Sequence, residues 1–300
     1  MENPKASSEA PTEVELKLAL APGGPAQLAA HPLLDITTAT RLTLTNTYFD
    51  TPDGALGAAR VALRLRQINS QTLQTVKTAG QGGGGLSSRE EWEWEVSGNQ
   101  LDITGLKALP PFQAFDDATF AALEPQLRTD FTRTKWDIHH QESQIELALD
   151  EGEIDCHGYR APICEMELEL KRGAPNALWD LAMALAADVA LRPSDSSKAA
   201  RGTALGHQHW PLPEAHIPSE WLQRATLALD AFHDSGQGAF LTLAFEALAK
   251  LAEHPGLDDA ARPLAQTLPQ ALDENGQPST AYGSAALTLA RSLAERTELR

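Results

Sequence analysis

From Thr12 to Leu20 the chain reads TEVELKLAL, in which Glu13, Glu15 and Lys17 alternate with Val14, Leu16 and Leu18. A period of two predicts a β-strand with one charged and one apolar face. Similar segments follow to about residue 172: TNTYFDT, VALRLRQI, LQTVKTA, REEWEWEV, TKWDIHH, SQIELALDEGEI and ICEMELELK. About eight such runs separated by short turns predict a large antiparallel sheet or a barrel. Helical spacing interrupts them near 24–31 and 115–126, and an amphipathic helix is predicted from Asn176 to Ala190.

The stretch GHQHWPLPEAHIP, Gly206 to Pro218, has no apolar period and reads as a linker. Beyond it, Ser219 is the expected N-cap of a helix carrying Trp221, Leu222, Ala225, Leu229 and Phe232. A second helix follows Gly238, and residues 257–272 and 280–297 supply two more, together a small antiparallel bundle. The expected division is a disordered lead-in over 1–11, a strand-rich domain over 12–205, a linker over 206–218 and a helical bundle over 219–300.

Composition narrows the function classes. With 300 residues and 42% hydrophobic content, the chain can bury real cores. A net charge of −17 argues against a nonspecific duplex nucleic-acid or membrane-surface binder, since both need basic surface. No apolar run approaches the ~20 residues of a membrane helix, and the first residues show no apolar signal segment. Cys156 and Cys164 are the only cysteines and form no CxxC, so neither a disulfide framework nor a thiolate zinc site is indicated. A cytoplasmic protein is expected.

The charged strand faces carry the chemistry. Arg64 and Arg66 share one face, opposite Leu63 and Leu65. Arg89, Glu91, Glu93 and Glu95 oppose Trp92, Trp94 and Val96; Glu146 and Asp150 oppose Ile145, Leu147 and Leu149; Glu165, Glu167, Glu169 and Lys171 oppose Met166, Leu168 and Leu170. A half-buried sheet with a solvated charged face would produce the same alternation. Sign, however, is segregated by strand, and like charges side by side cost energy. If the sheet closes with its apolar faces outward under helices, the charges line the interior. A charged lumen left dry would cost several kcal/mol per unpaired group. Filled with water and a charged ligand, it becomes reasonable. Clustered carboxylates suit Mg2+ or Mn2+, and clustered Arg and Lys suit phosphate.

These residues resemble a known family. EVELK fits the ExExK signature of the CYTH superfamily, the triphosphate tunnel metalloenzymes. NTYFDTPDGAL, LRLRQ, QTVKTAG, REEWEWEV, the Arg133 of RTKW, IELALDEGEI, EMELELKRG and SDSSKAARG follow in the family's order, over roughly Glu13 to Gly202. The resemblance implies an α+β fold: an eight-stranded antiparallel barrel, or tunnel, with covering helices, followed here by the all-α bundle. It implies hydrolysis of inorganic triphosphate to diphosphate and phosphate. The alternatives it leaves open are action on a nucleoside or thiamine triphosphate, as hydrolase or cyclase, and a non-catalytic triphosphate or polyphosphate sensor. By position, Glu13, Glu15, Glu165, Glu167 and Asp150 would hold Mg2+ or Mn2+. Lys17, Arg64, Arg66, Lys77, Arg89, Arg133 and Lys198 would hold phosphate, and Glu165, Glu167 and Lys77 would serve catalysis. SKAARG followed by helices is similar to the bacterial subgroup with a C-terminal CHAD domain. CHAD domains are longer and basic, whereas residues 207–300 carry six Lys and Arg against twelve Asp and Glu, so only a shortened, CHAD-like relative is implied.

Other motifs read as structural. QGGGGLSS lacks the Lys-Ser/Thr of a phosphate loop and predicts a flexible hairpin. His207 and His209 in the Pro-rich stretch, and His139 and His140 at a strand end, have no spaced metal partner. Cys156 and Cys164 flank a hairpin and are expected as free thiols. The aromatic residues beyond 219 are expected in the bundle core.

Overall fold

The computed structural model describes residues 12–298, so the expected lead-in over 1–11 lies outside the described residues. The first half comprises β1 (Thr12–Leu20), α1 (Gly24–Ala29), β2 (Thr40–Asp50), α2 (Ala55–Ala58), β3 (Ala62–Ile68), β4 (Gln71–Lys77), β5 (Gln81–Gly83), β6 (Leu86–Val96), α3 (Ile103–Ala108) and α4 (Asp117–Ala121). The second comprises β7 (Glu124–His140), β8 (Ser143–Cys156), β9 (Tyr159–Arg172), α5 (Asn176–Ala186), β10 (Leu191–Pro193), α6 (Lys198–His207), α7 (Pro218–Ser235), α8 (Gly238–Ala252), α9 (Ala261–Thr267) and α10 (Thr280–Glu298). No described helix is long and apolar enough to cross a membrane.

Eight strands close an antiparallel ring in the order β1–β9–β8–β7–β2–β3–β4–β6, with β6 returning to β1 through Glu13 opposite Arg89. Closure leaves these strands no free edge, and it decides which face points in. Leu16, Leu18, Leu147, Leu149, Met166 and Leu168 are buried on the outside of the barrel against α5 and the C-terminal helices. Leu63, Val76 and Trp92 are buried under Leu56 of α2, Leu106 of α3 and Phe120 of α4. The charged faces therefore look inward.

Only part of the interior is charged. Along β8 the inward positions change from Glu146 and Asp150 to Ile154 and Cys156, and Ile154, Cys156, Phe131, Leu127 and Tyr48 form one cluster with Leu205 of α6. Gly202 permits this approach: a Cβ there would lie 2.7 Å from a methyl of Leu127. α6 thus packs against this end of the barrel through apolar contacts, and the cavity runs from there into the charged half.

Several boundaries differ from the sequence expectation. The helix expected over 115–126 is the short α4, because Asp116 caps it through Thr119 N at 2.8 Å and the chain enters the 17-residue β7 at Glu124. α3 was not anticipated. α6 runs to His207, and α7 begins at Pro218, so the linker is shorter than expected. Its start is set by the Glu220 carboxylate, which accepts from His216 N at 2.7 Å and Ile217 N at 3.2 Å, rather than by Ser219. The Gly-rich hairpin is packed instead of loose. Gly85 lies in the left-handed region (φ 92°), and a Cβ there would sit 2.6 Å from the Lys17 carbonyl oxygen.

The C-terminal helices share their core with the barrel. Leu222, Leu229, Leu248, Tyr282 and Leu289 belong to the same buried cluster as Leu16 and Leu168. A buried ion pair crosses the junction: Asp230 on α7 accepts from Arg192 Nη1 at 2.5 Å, and both side chains are only 5% exposed. Burial raises the Asp230 carboxyl pKa, but Arg192, Lys17 and Arg201 outweigh it, and the net shift is downward. A depressed Asp adds stability that is complete above its unfolded value of ~3.9 and is lost as pH falls through the folded value. Asp230→Asn should therefore cost about 3–5 kcal/mol at neutral pH by leaving a buried guanidinium unpaired. Urea denaturation of both proteins should show that gap narrowing as pH falls from about 4, where the unfolded chain protonates, and closing through the lower folded value of wild-type Asp230.

Candidate active site

The cavity holds about 1330 Å³ and is lined by every charged strand face named above. Register explains the distribution of charge. On one side Glu15 lies opposite Glu169, which lies opposite Glu146, so three carboxylates form a row across β1, β9 and β8. β3, with Arg64 and Arg66, stands four strands from β9 by either route around the ring.

Most of these charges neutralise one another. Glu13 accepts from Lys77 Nζ at 2.8 Å and Arg89 Nε at 2.8 Å, and Arg89 also pairs with Glu15. Burial raises the Glu13 pKa, but Lys77 and Arg89 overcome it and hold the carboxyl at about 2. Arg133 is bidentate to Asp150 (Nε–Oδ1 2.7 Å, Nη2–Oδ2 2.6 Å) and reaches Glu167 Oε2 at 2.5 Å. Lys198 joins Asp150 at 2.6 Å, Glu165 at 2.5 Å and Glu167 at 3.0 Å. Burial opposes the charge on Glu167, yet Lys198, Arg133 and Lys17 hold its pKa well below the carboxylate range.

The cations on β3 are the exception. Arg64 Nη2 is 3.8 Å from Glu91 and 4.0 Å from Glu93, and its buried Nε has no hydrogen-bond partner. Arg66 donates from Nε to Asn46 Oδ1 at 2.8 Å and forms no ion pair among the described residues. Burial and then the neighbouring Arg64 and Arg133 push its pKa down to about 10. Lys17 donates to the Ser196 carbonyl oxygen rather than to a carboxylate. Arg66 and Lys17 are available to an anion without first losing an acidic partner, and Arg64 gives up only its long contacts to Glu91 and Glu93.

The structure thus brings Glu13, Glu15, Lys17, Arg64, Arg66, Lys77, Arg89, Arg133, Glu167 and Lys198 to one cavity. Asp150 and Glu165 also point into the barrel but are covered by Arg133 and Lys198, at 0% and 2% exposure. Carboxylate oxygens of Asp150, Glu165 and Glu167 lie within 4.8 Å of one another, with Lys198 Nζ among them. Both Glu165 oxygens are engaged, Oε1 by Lys198 and Oε2 by Arg201 at 3.1 Å.

A model of the CYTH domain matches residues 11–203. The chain belongs to the CYTH domain family. A relative from Haemophilus influenzae, described as an inorganic triphosphatase, is 36% identical over 203 residues, covering 66% of this chain and 56% of the relative. The chain therefore spans little more than half the length of that curated protein. Among solved structures, a proposed adenylyl cyclase from Hippeastrum with a dominant triphosphatase activity is 21% identical, with a TM-score of 0.48, over 68% of this chain and 100% of its own. A Pyrococcus horikoshii protein is 20% identical, with a TM-score of 0.37, over 58% and 88%. Likenesses this distant bear on neither substrate nor chemistry.

Some members of this CYTH site were not singled out from the sequence. Tyr48 lines the cavity from β2; burial raises its pKa, but Arg64, Lys198 and Arg66 bring it below the usual value. Arg201 lies three residues after Lys198 on α6, a spacing that puts both on one helix face and could have revealed it. Glu91 is pushed up by burial, and Lys135 pairs with Glu146.

The unpaired cation on β3 should cost the ligand-free protein stability. Arg66→Ala is expected to raise its Tm by roughly 2–4 °C, the shift for about 1 kcal/mol in a chain of this size. Calorimetry without ligand checks this; an unchanged or lower Tm would show that Arg66 is adequately compensated.

Proposed function

We propose that the protein hydrolyses inorganic triphosphate to diphosphate and phosphate within the barrel, with Mg2+ or Mn2+ as the metal. The observation that carries this reading is the pair Arg64 and Arg66, short of carboxylate partners, across the ring from the carboxylates of β9. The 36% identity to an inorganic triphosphatase supports it. A cytoplasmic location fits such a substrate.

The donor set fits a hard divalent cation, because the cavity carboxylates offer only oxygen ligands and room for retained waters. Glu13, Glu15 and Glu167 would hold it. When bound, the cation supplies Lewis-acid neutralisation of phosphate oxygens. Asp150 and Glu165, also expected as metal ligands, lie with Glu167 in a group of carboxylates within 4.8 Å of one another that could join in holding it, and without ligand they anchor Arg133 and Lys198.

Arg64, Arg66 and Lys17 would receive the polyanion first. Lys77, Arg89, Arg133 and Lys198 exchange carboxylate oxygens for phosphate oxygens as it enters, so one set of charge-assisted bonds replaces another. Water attacks the terminal phosphorus, a P–O bond forms, and the bond to the bridging oxygen breaks. Glu167, ionised in the ligand-free cavity, orients the water. Lys77 meets the charge developing on the departing diphosphate.

The helices from α7 onward are read as part of this enzyme. Their segment carries six basic against twelve acidic residues over 207–300, which speaks against a polyphosphate-binding, CHAD-like role.

The deciding assay incubates purified protein with tripolyphosphate, ATP or thiamine triphosphate and Mg2+ or Mn2+. Preferential phosphate release from tripolyphosphate, abolished by EDTA, is expected. Cyclic AMP, preferential ATP turnover, or binding without turnover would overturn the assignment. Glu13→Gln should abolish metal-dependent turnover while circular dichroism is preserved. Arg64→Ala should weaken tripolyphosphate binding by roughly 1.5–3 kcal/mol in titration calorimetry, the range for a hydrogen bond to a charged group.

A further inference from the structure

The C-terminal helices meet the triphosphate site through one short stretch of chain. Between β10 and α6, residues 194–197 run along the cavity, which Ser194, Asp195 and Ser197 help to line, and two carboxylates of α7 hold the stretch and its flanks. Asp230 accepts from Ser194 Oγ at 3.2 Å, Ser196 N at 3.3 Å and Arg192 Nη1 at 2.5 Å. Four residues further along α7, one helical turn, Asp234 accepts from Arg201 Nη2 at 2.7 Å and Nε at 3.1 Å.

The other side of this stretch faces the cavity cations. The Ser196 carbonyl oxygen accepts from Lys17 Nζ, and Ser194 N donates to the Lys17 carbonyl oxygen at 3.1 Å. Ser197 Oγ accepts from Ala200 N at 3.1 Å and so caps α6, whose first residue is Lys198. Arg201 completes the bridge, because its Nη1 reaches the same Glu165 carboxylate that holds Lys198. One chain of charge-assisted bonds therefore runs Asp234–Arg201–Glu165–Lys198, and a second path runs Asp230–Ser196–Lys17. The C-terminal segment also reaches the cavity directly, since Gln223 of α7 is among its lining residues.

We infer that α7 is a positioning element of the triphosphate site, with Asp230 and Asp234 setting the places of Lys17 and Lys198. The inference rests on the triphosphate reading above. Its physical basis is the charge balance around Glu165. Two cations share that carboxylate, and Arg201 can do so because Asp234 takes part of its charge. Without a charged Asp234, Arg201 draws more heavily on Glu165. Lys198 then leans harder on Asp150 and Glu167, bonds that an incoming phosphate must displace. On the second path, loss of the Asp230 grip frees Ser196, and Lys17 loses its fixed acceptor. Neither aspartate touches the substrate, so both are positioning residues.

The test uses the full chain. Asp234→Asn is the leading variant, because it removes the charge and keeps the shape of the side chain, at a carboxyl that burial pushes upward. Asp230→Asn is measured alongside it wherever it folds. Arg291→Ala is the control: Arg291 ties α10 to Asp180 of α5 at 2.7 Å and touches neither the 194–197 stretch nor the cavity. Each protein is assayed for tripolyphosphate hydrolysis and, separately, for tripolyphosphate binding by calorimetry, well below its Tm. For Asp234→Asn, KM and Kd should rise about 10-fold, the loss of one charge-assisted contact, with kcat within about threefold. Arg291→Ala should alter Tm alone. Unchanged KM and Kd in folded Asp234→Asn would overturn the inference, as would an equal rise in the Arg291→Ala control. A wild-type protein that binds tripolyphosphate without cleaving it would count against the proposed reaction and leave the Kd comparison standing.

Discussion

Charge enclosed in a closed barrel must be met by opposite charge. A carboxylate or guanidinium removed from water loses several kcal/mol of solvation unless a partner compensates it, and this barrel encloses both kinds in number. Glu13 with Lys77 and Arg89, and Asp150 with Arg133 and Lys198, are the resulting solutions. They make the ligand-free state tolerable and also define what can enter. A ligand must offer anions to the cations and cations to the carboxylates together, as a metal-bound polyphosphate does. Arg64 and Arg66, left without close acidic partners, set the polarity of that exchange.

The same constraint gives the C-terminal helices their place. Their segment is acidic, and at the surface that charge would oppose a polyanion. Asp230 and Asp234, however, are buried, and they compensate Arg192 and Arg201 behind the cavity wall. Acidic residues on a covering helix thus bond to groups that in turn hold cavity cations. The apolar cluster that α7, α8 and α10 share with the outer faces of β1 and β9 keeps those carboxylates in register with the barrel.

The barrel and its charged lining were legible in the sequence because a strand's period of two is local. Glu13, Glu15 and Lys17 share a face whatever surrounds them, and once the sheet closes under helices that face has one direction to point. The glycine hairpin shows the limit. QGGGG reads as loose chain, and only the approach of the Lys17 carbonyl oxygen to Gly85 reveals why a side chain is excluded there.

Sequence alone determined the strands, the sign of each face and the match to a triphosphate tunnel, since all three follow from residue type and spacing along the chain. Tertiary structure decided which carboxylates face the cavity. Glu165 and Glu167 share a strand face, yet the first is covered by Lys198 and Arg201, while the second lines the cavity. It also decided that the helices beyond Pro218 join the barrel core and reach the site through Asp230 and Asp234. Partners 31 to 38 residues apart in sequence are brought together only by packing, and the pattern on either segment alone carries no record of the other.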